Sequence, residues 1–165
     1  MAIALPIAVH PFGLGPVLLP MHLPVLVVGG FAGPAVGGLV GALAPLLSHL
    51  LTGMPPMVPP VAPLMTAELA TYGAVAGLSM RAARLRHGES GRRSPLLVLT
   101  AGVLVAMVAG RIVLALAAAA LGPLLGLRVP ALVYLKAAVA SGIPGMLVQV
   151  VAVPLILSRL LRDVR

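Results

Sequence analysis

An uncharged stretch covering residues 22–52 constrains the fold more than any other feature of the sequence. It contains no aspartate, glutamate, lysine or arginine, and a helix of about 20 such residues is enough to cross the hydrocarbon core of a bilayer. As one straight helix the stretch would measure about 46 Å, against a core of about 30 Å. It also contains Gly33-Pro34, and both residue types disfavour a helix interior. We therefore predict two helices, at 22–32 and 34–52.

The whole chain shares this apolar character. Of its 165 residues, 61% are hydrophobic and 8% are charged, whereas about a quarter of the residues in a soluble domain are charged. We predict an all-α integral membrane protein, with a single transmembrane domain over residues 1–165 and a multi-pass location in the plasma membrane. Cysteine is absent, which excludes a disulfide framework and thiolate chemistry.

Basic residues give the chain a net charge of +8. They gather in the segment 81–94 and at the C-terminus, as expected of cytoplasmic loops under the positive-inside rule. Because no phenylalanine, tyrosine or tryptophan interleaves with these arginines, we predict no nucleic-acid partner and take the lipid bilayer as the surroundings.

The remaining helices and turns complete the predicted architecture. We predict further helices at 61–80, about 95–121 and about 145–161, together with a short or clipped first helix at 2–12. Turns are predicted at 13–21 and 53–60. A weakly amphipathic piece at 127–142 is predicted to lie at the outer interface. When both basic clusters are placed in the cytoplasm, counting the predicted helices from them gives a six-transmembrane-helix bundle with both termini in the cytoplasm, N-in/C-in.

Few polar residues fall within the apolar segments, and Glu68 is the only acidic one. Ionisable residues in membrane spans are costly and usually face a cavity or each other. Two interpretations follow: a structural Glu68–Arg111 pair that holds two helices together, or a pocket open to the outside in which Glu68 contacts a ligand. The candidate substrate-binding residues are Glu68, Tyr72, His22, His49, Met54, Arg111, Lys136 and Gln149.

No catalytic motif is present. The sequence contains no paired carboxylates in the apolar segments, no H-E-x-x-H and no P-loop, so we predict neither an enzyme nor a cofactor. His22 and His49 are weak metal candidates because a metal site needs three or four ligands and the histidines are scattered. If the protein takes part in energised transport, a partner must bind the nucleotide.

Several segments resemble one transporter family. They are LPMHLPVLVVGGFAGPAVGGLVGALAPLLSHLLTGMPP, MTAELATYGAVAGL, GRIVLAL and SGIPGMLVQVVAVPL. In order and spacing, from about Leu19 to Leu157, they resemble the substrate-binding S components of energy-coupling factor (ECF) transporters, the vitamin-uptake relatives of ABC transporters.

The resemblance implies a six-helix fold and a substrate pocket near the outer face, built from the loops at about 13–21, 53–60 and 122–144. It implies three kinds of partner: a small micronutrient such as a vitamin, a membrane coupling subunit and two cytoplasmic ATPases. Ala4 and Ala8 match the small residues that face the coupling subunit, and the implied mechanism is toppling of the loaded S component within the membrane. The alternative function is a small multi-span envelope scaffold in which Glu68 and Arg111 form a structural pair.

Overall fold

The computed structural model describes residues 17, 19–87 and 95–163, and the side chains at 17, 19–83 and 96–161. These residues form five helices and no strand: α1 (His22–Ala32), α2 (Pro34–Thr52), α3 (Val61–His87), α4 (Pro95–Ala120) and α5 (Ala131–Asp163). The predicted all-α class is therefore confirmed for this part of the chain. The predicted first helix at 2–12, with Ala4 and Ala8, lies outside the described residues.

The break between α1 and α2 falls where the sequence predicts it. Gly33 has φ +98°, a value that glycine adopts without the steric cost of a Cβ atom. Its N–H donates to the Gly29 carbonyl at 3.0 Å and so closes the end of α1. Pro34 then begins α2, at a position where its missing N–H has no helical partner to lose.

The proline-rich turn between α2 and α3 is also confirmed. Gly53 ends α2 in the left-handed conformation, with φ +73° and its N–H bonded to the His49 carbonyl. The turn is fastened at both ends: the Nδ1 atom of His49 lies 2.9 Å from the Pro55 carbonyl oxygen, and the Ala62 N–H donates to the Pro56 carbonyl at 2.9 Å. These bonds give the proline segment a fixed path into α3.

Two predicted boundaries are wrong. α3 continues to His87, into the segment predicted as a basic loop, because arginine and alanine are both strong helix formers. α5 runs unbroken from Ala131 through Pro144, so 127–142 is not a separate interfacial piece and no helix begins near 145. Membrane helices tolerate glycine and proline because neighbouring groups satisfy the freed carbonyls.

Four of the five helices contain stretches long and apolar enough to cross a membrane: 34–52, 61–83, 96–120 and 131–161. α1 has 11 residues and a length of about 16 Å, which is about half the hydrocarbon core. The six-span count and the N-in/C-in orientation stay predictions.

α3 is the central helix of the bundle. Its Leu69, Tyr72, Ala76 and Met80 are buried in one apolar core. The other buried members of that core are Met21 just before α1, Val25 and Leu26 of α1, Leu99, Val103, Ala106 and Met107 of α4, and Val153 and Leu157 of α5. α2 instead meets α3 through glycine: a Cβ atom at Gly37 or Gly41 would collide with the α3 backbone.

Candidate functional site

A carboxylate joins three helices at the middle of the bundle. Glu68, near the start of α3, is 2% exposed. Its Oε1 atom lies 3.0 Å from Nη1 of Arg111 on α4 and 3.8 Å from Nε2 of His22 at the start of α1. The predicted Glu68–Arg111 pair therefore forms, and His22 joins it.

Tyr72 extends this centre by one turn of α3. Its ring meets the His22 ring edge-on, with centroids 5.1 Å apart and an interplanar angle of 67°, a favourable aromatic geometry. Both side chains are buried. Because Glu68 and Tyr72 both contact His22, they share a helix face, as their spacing of four residues predicts.

Gln149 brings α5 into the same region. Its buried side chain donates from Nε2 to the Leu19 carbonyl oxygen at 3.4 Å, and that oxygen also accepts the His22 N–H at 3.0 Å. Leu19 has φ +47°, a left-handed conformation uncommon for a residue other than glycine. The segment leading into α1 is thereby tied to α5.

Two residues that the sequence analysis did not select complete the surroundings of Arg111. Nη2 of Arg111 lies 4.0 Å from Sδ of Met146. A Cβ atom at Gly142 would lie 3.4 Å from the same Nη2 and 2.9 Å from Cδ1 of Leu19. Gly142 thus leaves room for both side chains. In the sequence, the one signal at Gly142 is its lack of a side chain.

Several buried polar atoms of this centre have no hydrogen-bond partner among the described residues. They are Nδ1 and Nε2 of His22, Oε1 of Glu68, the Tyr72 hydroxyl, Nε of Arg111 and Oε1 of Gln149. The Glu68–Arg111 contact is thus an ion pair without a well-directed hydrogen bond. Buried polar atoms in proteins are normally paired, and each unpaired one costs about 1–3 kcal/mol. We refer to His22, Glu68, Tyr72, Arg111 and Gln149 as the polar centre.

Three other candidate residues have different surroundings. His49 is half-buried and bonded to the turn at Pro55. Met54 is exposed in that turn, and Lys136 is exposed on α5. Among the residues with described side chains, no three His, Asp or Glu residues come together as metal ligands would.

An apolar groove of about 640 Å³ lies beside the polar centre, between α4 and α5. Among the described residues that line it, Arg111 is the one polar residue; the others are Leu104, Met107, Val108, Ile112, Ala115, Leu116, Leu135, Ile143, Met146, Leu147 and Val150. Arg111 therefore contacts Glu68 on one side and the groove on the other.

Four helical segments able to span a bilayer and a buried, partly unpaired polar centre define an integral membrane protein with polar groups at membrane depth. Over residues 1–161 the chain matches the family described as ECF transporter, substrate-specific component, and it belongs to that family. The resemblance predicted from the sequence is thus confirmed, as is the location in the plasma membrane. No curated protein and no solved structure matches the chain.

Proposed function

We propose that this protein captures a small micronutrient at the outer face of the membrane and holds it at the polar centre. It then delivers the ligand by toppling on a membrane coupling subunit driven by two cytoplasmic ATPases. The observation that supports this proposal is the set of unpaired polar atoms on His22, Tyr72 and Gln149 around the Glu68–Arg111 pair. A pair that served only to join two helices would not need unpaired donors and acceptors beside it, since each one is a cost to folding.

The proposed orientation places the proline turn outside and both termini inside. Arg81 lies near the C-terminal end of the apolar segment 61–83 of α3, and further arginines follow in 84–93, as expected of a cytoplasmic end. Glu68 is then about 10 Å from the outer end of α3. The sixth span would be the predicted first helix at 2–12, where Ala4 and Ala8 would contact the coupling subunit.

The polar centre suits a ligand that carries both donors and acceptors. Glu68 and Gln149 present oxygen atoms, Arg111 presents N–H groups, and His22 presents two ring nitrogens. A polar or zwitterionic vitamin can use all of these groups. His49, Met54 and Lys136 stay candidate contacts for the parts of the ligand nearer the outside.

Native mass spectrometry of the protein purified from its own membrane tests the proposal. We expect a bound small molecule, and we expect Glu68→Gln to weaken its binding about tenfold or more, the effect of one hydrogen bond to a charged group. Thr100→Val is the control, since the Thr100 hydroxyl bonds to the Leu96 carbonyl within α4, away from the polar centre. Co-purification with a coupling subunit and ATPases tests the transport step. If Glu68→Gln lowers stability and leaves ligand affinity unchanged, the scaffold function is supported instead.

A further inference from the structure

The groove between α4 and α5 has walls that match an apolar molecule. Leu104, Val108 and Ile112 on α4 and Ile143 and Leu147 on α5 line it, and all five side chains are about half exposed or more. Its volume of about 640 Å³ lies within the range of about 300–1,000 Å³ that small-molecule pockets have.

Arg111 gives this apolar groove one polar anchor. The guanidinium has five N–H donors, and its Nη1 atom lies 3.0 Å from Oε1 of Glu68. Nη2 has the Met146 sulfur at 4.0 Å as its neighbour, and a thioether is a weak acceptor. Arg111 therefore has N–H groups beside the groove that no oxygen atom of the described residues accepts.

Charge decides which oxygen fits there. Glu68 already balances the positive charge of Arg111, so a carboxylate in the groove would add a buried negative charge without its own counter-ion, which is costly. A neutral carbonyl oxygen can accept from Nη2 without adding charge. Met146, a flexible side chain, can move aside to admit it.

We propose that the groove between α4 and α5 binds an apolar molecule carrying a neutral carbonyl group, with the carbonyl oxygen on Arg111 and the apolar body along Leu104–Leu116 and Ile143–Val150. This inference rests on the proposed function, because it makes such a molecule the substrate held at Arg111. The groove adds a requirement that the polar centre alone does not impose: part of the substrate is hydrophobic.

Photolabelling tests this assignment. The full chain is placed in phosphatidylcholine nanodiscs and irradiated with decanamide bearing a mid-chain diazirine, and the labelled peptides are mapped by mass spectrometry. Two matched probes carry a methyl group or a carboxylate in place of the amide. We expect the amide probe to label 104–116 and 143–150 about tenfold more than the methyl probe, the effect of one hydrogen bond to a charged donor. The carboxylate probe should label these segments less than the amide probe.

Two alanines on α4 provide matched variants. Ala115 lines the groove, so Ala115→Phe should reduce groove labelling by the amide to the level of the methyl probe. Ala120 is exposed and does not line the groove, so Ala120→Phe should leave it unchanged. Equal maps from the amide and methyl probes on the unmodified protein would overturn the assignment, because the groove would then be ordinary lipid-facing surface. Stronger labelling by the carboxylate would overturn the choice of a neutral carbonyl.

The photolabelling result can be distinguished from the results that test the proposed function. Labelling needs neither the coupling subunit nor the ATPases. Equal maps together with a micronutrient bound at the polar centre would refute the groove site alone. Groove-specific labelling of a protein that recovers neither ligand nor ECF partners would refute the transport function alone.

Discussion

The helix contacts on the two sides of the bundle are built differently. α1, α2 and α3 meet backbone to backbone: a Cβ atom at Gly29 or Gly37 would collide with Gly73 of α3, and one at Gly77 would collide with Pro34 at the start of α2. α4 and α5 meet through larger side chains and leave the groove between them. Close approach of glycine-lined helices maximises dispersion contacts in a bilayer. We therefore refer to the tightly packed helices α1, α2 and α3 as the fixed frame.

The second side holds the features that a ligand could use. Arg111 and Gln149 come from α4 and α5, and both carry unpaired buried atoms. Arg111 faces Glu68 of α3, and Gln149 donates to the Leu19 carbonyl that also accepts the His22 N–H. The comparison indicates that ligand binding would shift α4 and α5 more readily than α1 or α2, since groups with space around them move at lower cost than packed backbones.

The largest effect is expected at the ion pair that joins the two sides. Arg111→Met leaves the Glu68 carboxylate, 2% exposed, without its cation, and breaking a buried pair in this way costs about 3–5 kcal/mol. The free energy of unfolding, measured by titration with sodium dodecyl sulfate in mixed micelles and followed by circular dichroism, should fall by that amount.

Removing both charges provides the control for this prediction. Glu68→Gln/Arg111→Met removes the uncompensated carboxylate, so the double variant should recover most of the lost stability. If Arg111→Met alone changes the free energy of unfolding by less than about 1 kcal/mol, the contact at 3.0 Å behaves as a weak exposed pair. The two sides would then be joined by packing alone.

The next largest effect distinguishes two adjacent glycines of α2. A Cβ atom at Gly37 would collide with the backbones of Gly29 and Gly73, whereas one at Gly38 would lie 3.5 Å from the Ala74 Cβ atom, an ordinary contact. Gly37→Ala should therefore destabilise the protein by about 1–3 kcal/mol or more, as overpacking does. Gly38→Ala should be neutral or stabilise it by up to about 1 kcal/mol through helix propensity.

The same micelle titration measures both variants, and each serves as the control for the other. Equal effects of Gly37→Ala and Gly38→Ala would contradict the fixed frame, because they would mean that α2 can move away from α3 at little cost.

Local signals made much of the fold predictable. The Gly33-Pro34 dipeptide places a helix break with one residue needing positive φ and one lacking an N–H, and both effects act within a turn. The proline turn is likewise predicted by the residue types within it. Glu68 and Arg111 could be predicted as site residues, because a charged side chain in an apolar segment requires a polar partner whatever the fold.

What escaped prediction depends on contacts between distant segments. Pro144 stays within α5 because the surrounding bundle tolerates it, a context that a local pattern does not contain. The positive φ of Leu19 follows from no residue signal, since leucine rarely adopts it. The groove depends on how far α4 and α5 diverge, and the unpaired atoms depend on distances between four helices. These are properties of the assembled bundle.

The smallest effect on stability, and the sharpest on function, is expected at Tyr72. Its hydroxyl is buried and makes no well-directed hydrogen bond to another described residue, while its ring packs edge-on against His22. Tyr72→Phe keeps the ring and removes the unpaired oxygen, so the free energy of unfolding should stay the same or rise by up to about 1 kcal/mol. Tyr134→Phe, at a half-buried position packed against a separate small cluster of α3 and α4 side chains, is the control.

Ligand binding should respond in the opposite sense, because a ligand at the polar centre is the available partner for that hydroxyl. Affinity for the molecule identified by native mass spectrometry should fall about two- to tenfold in Tyr72→Phe, the effect of one neutral hydrogen bond, and stay unchanged in Tyr134→Phe. A Tyr72→Phe protein that unfolds more easily yet binds equally well would contradict the proposal. The hydroxyl would then serve the folded protein itself, and the open side of the bundle would differ from the glycine-lined side in packing but not in function.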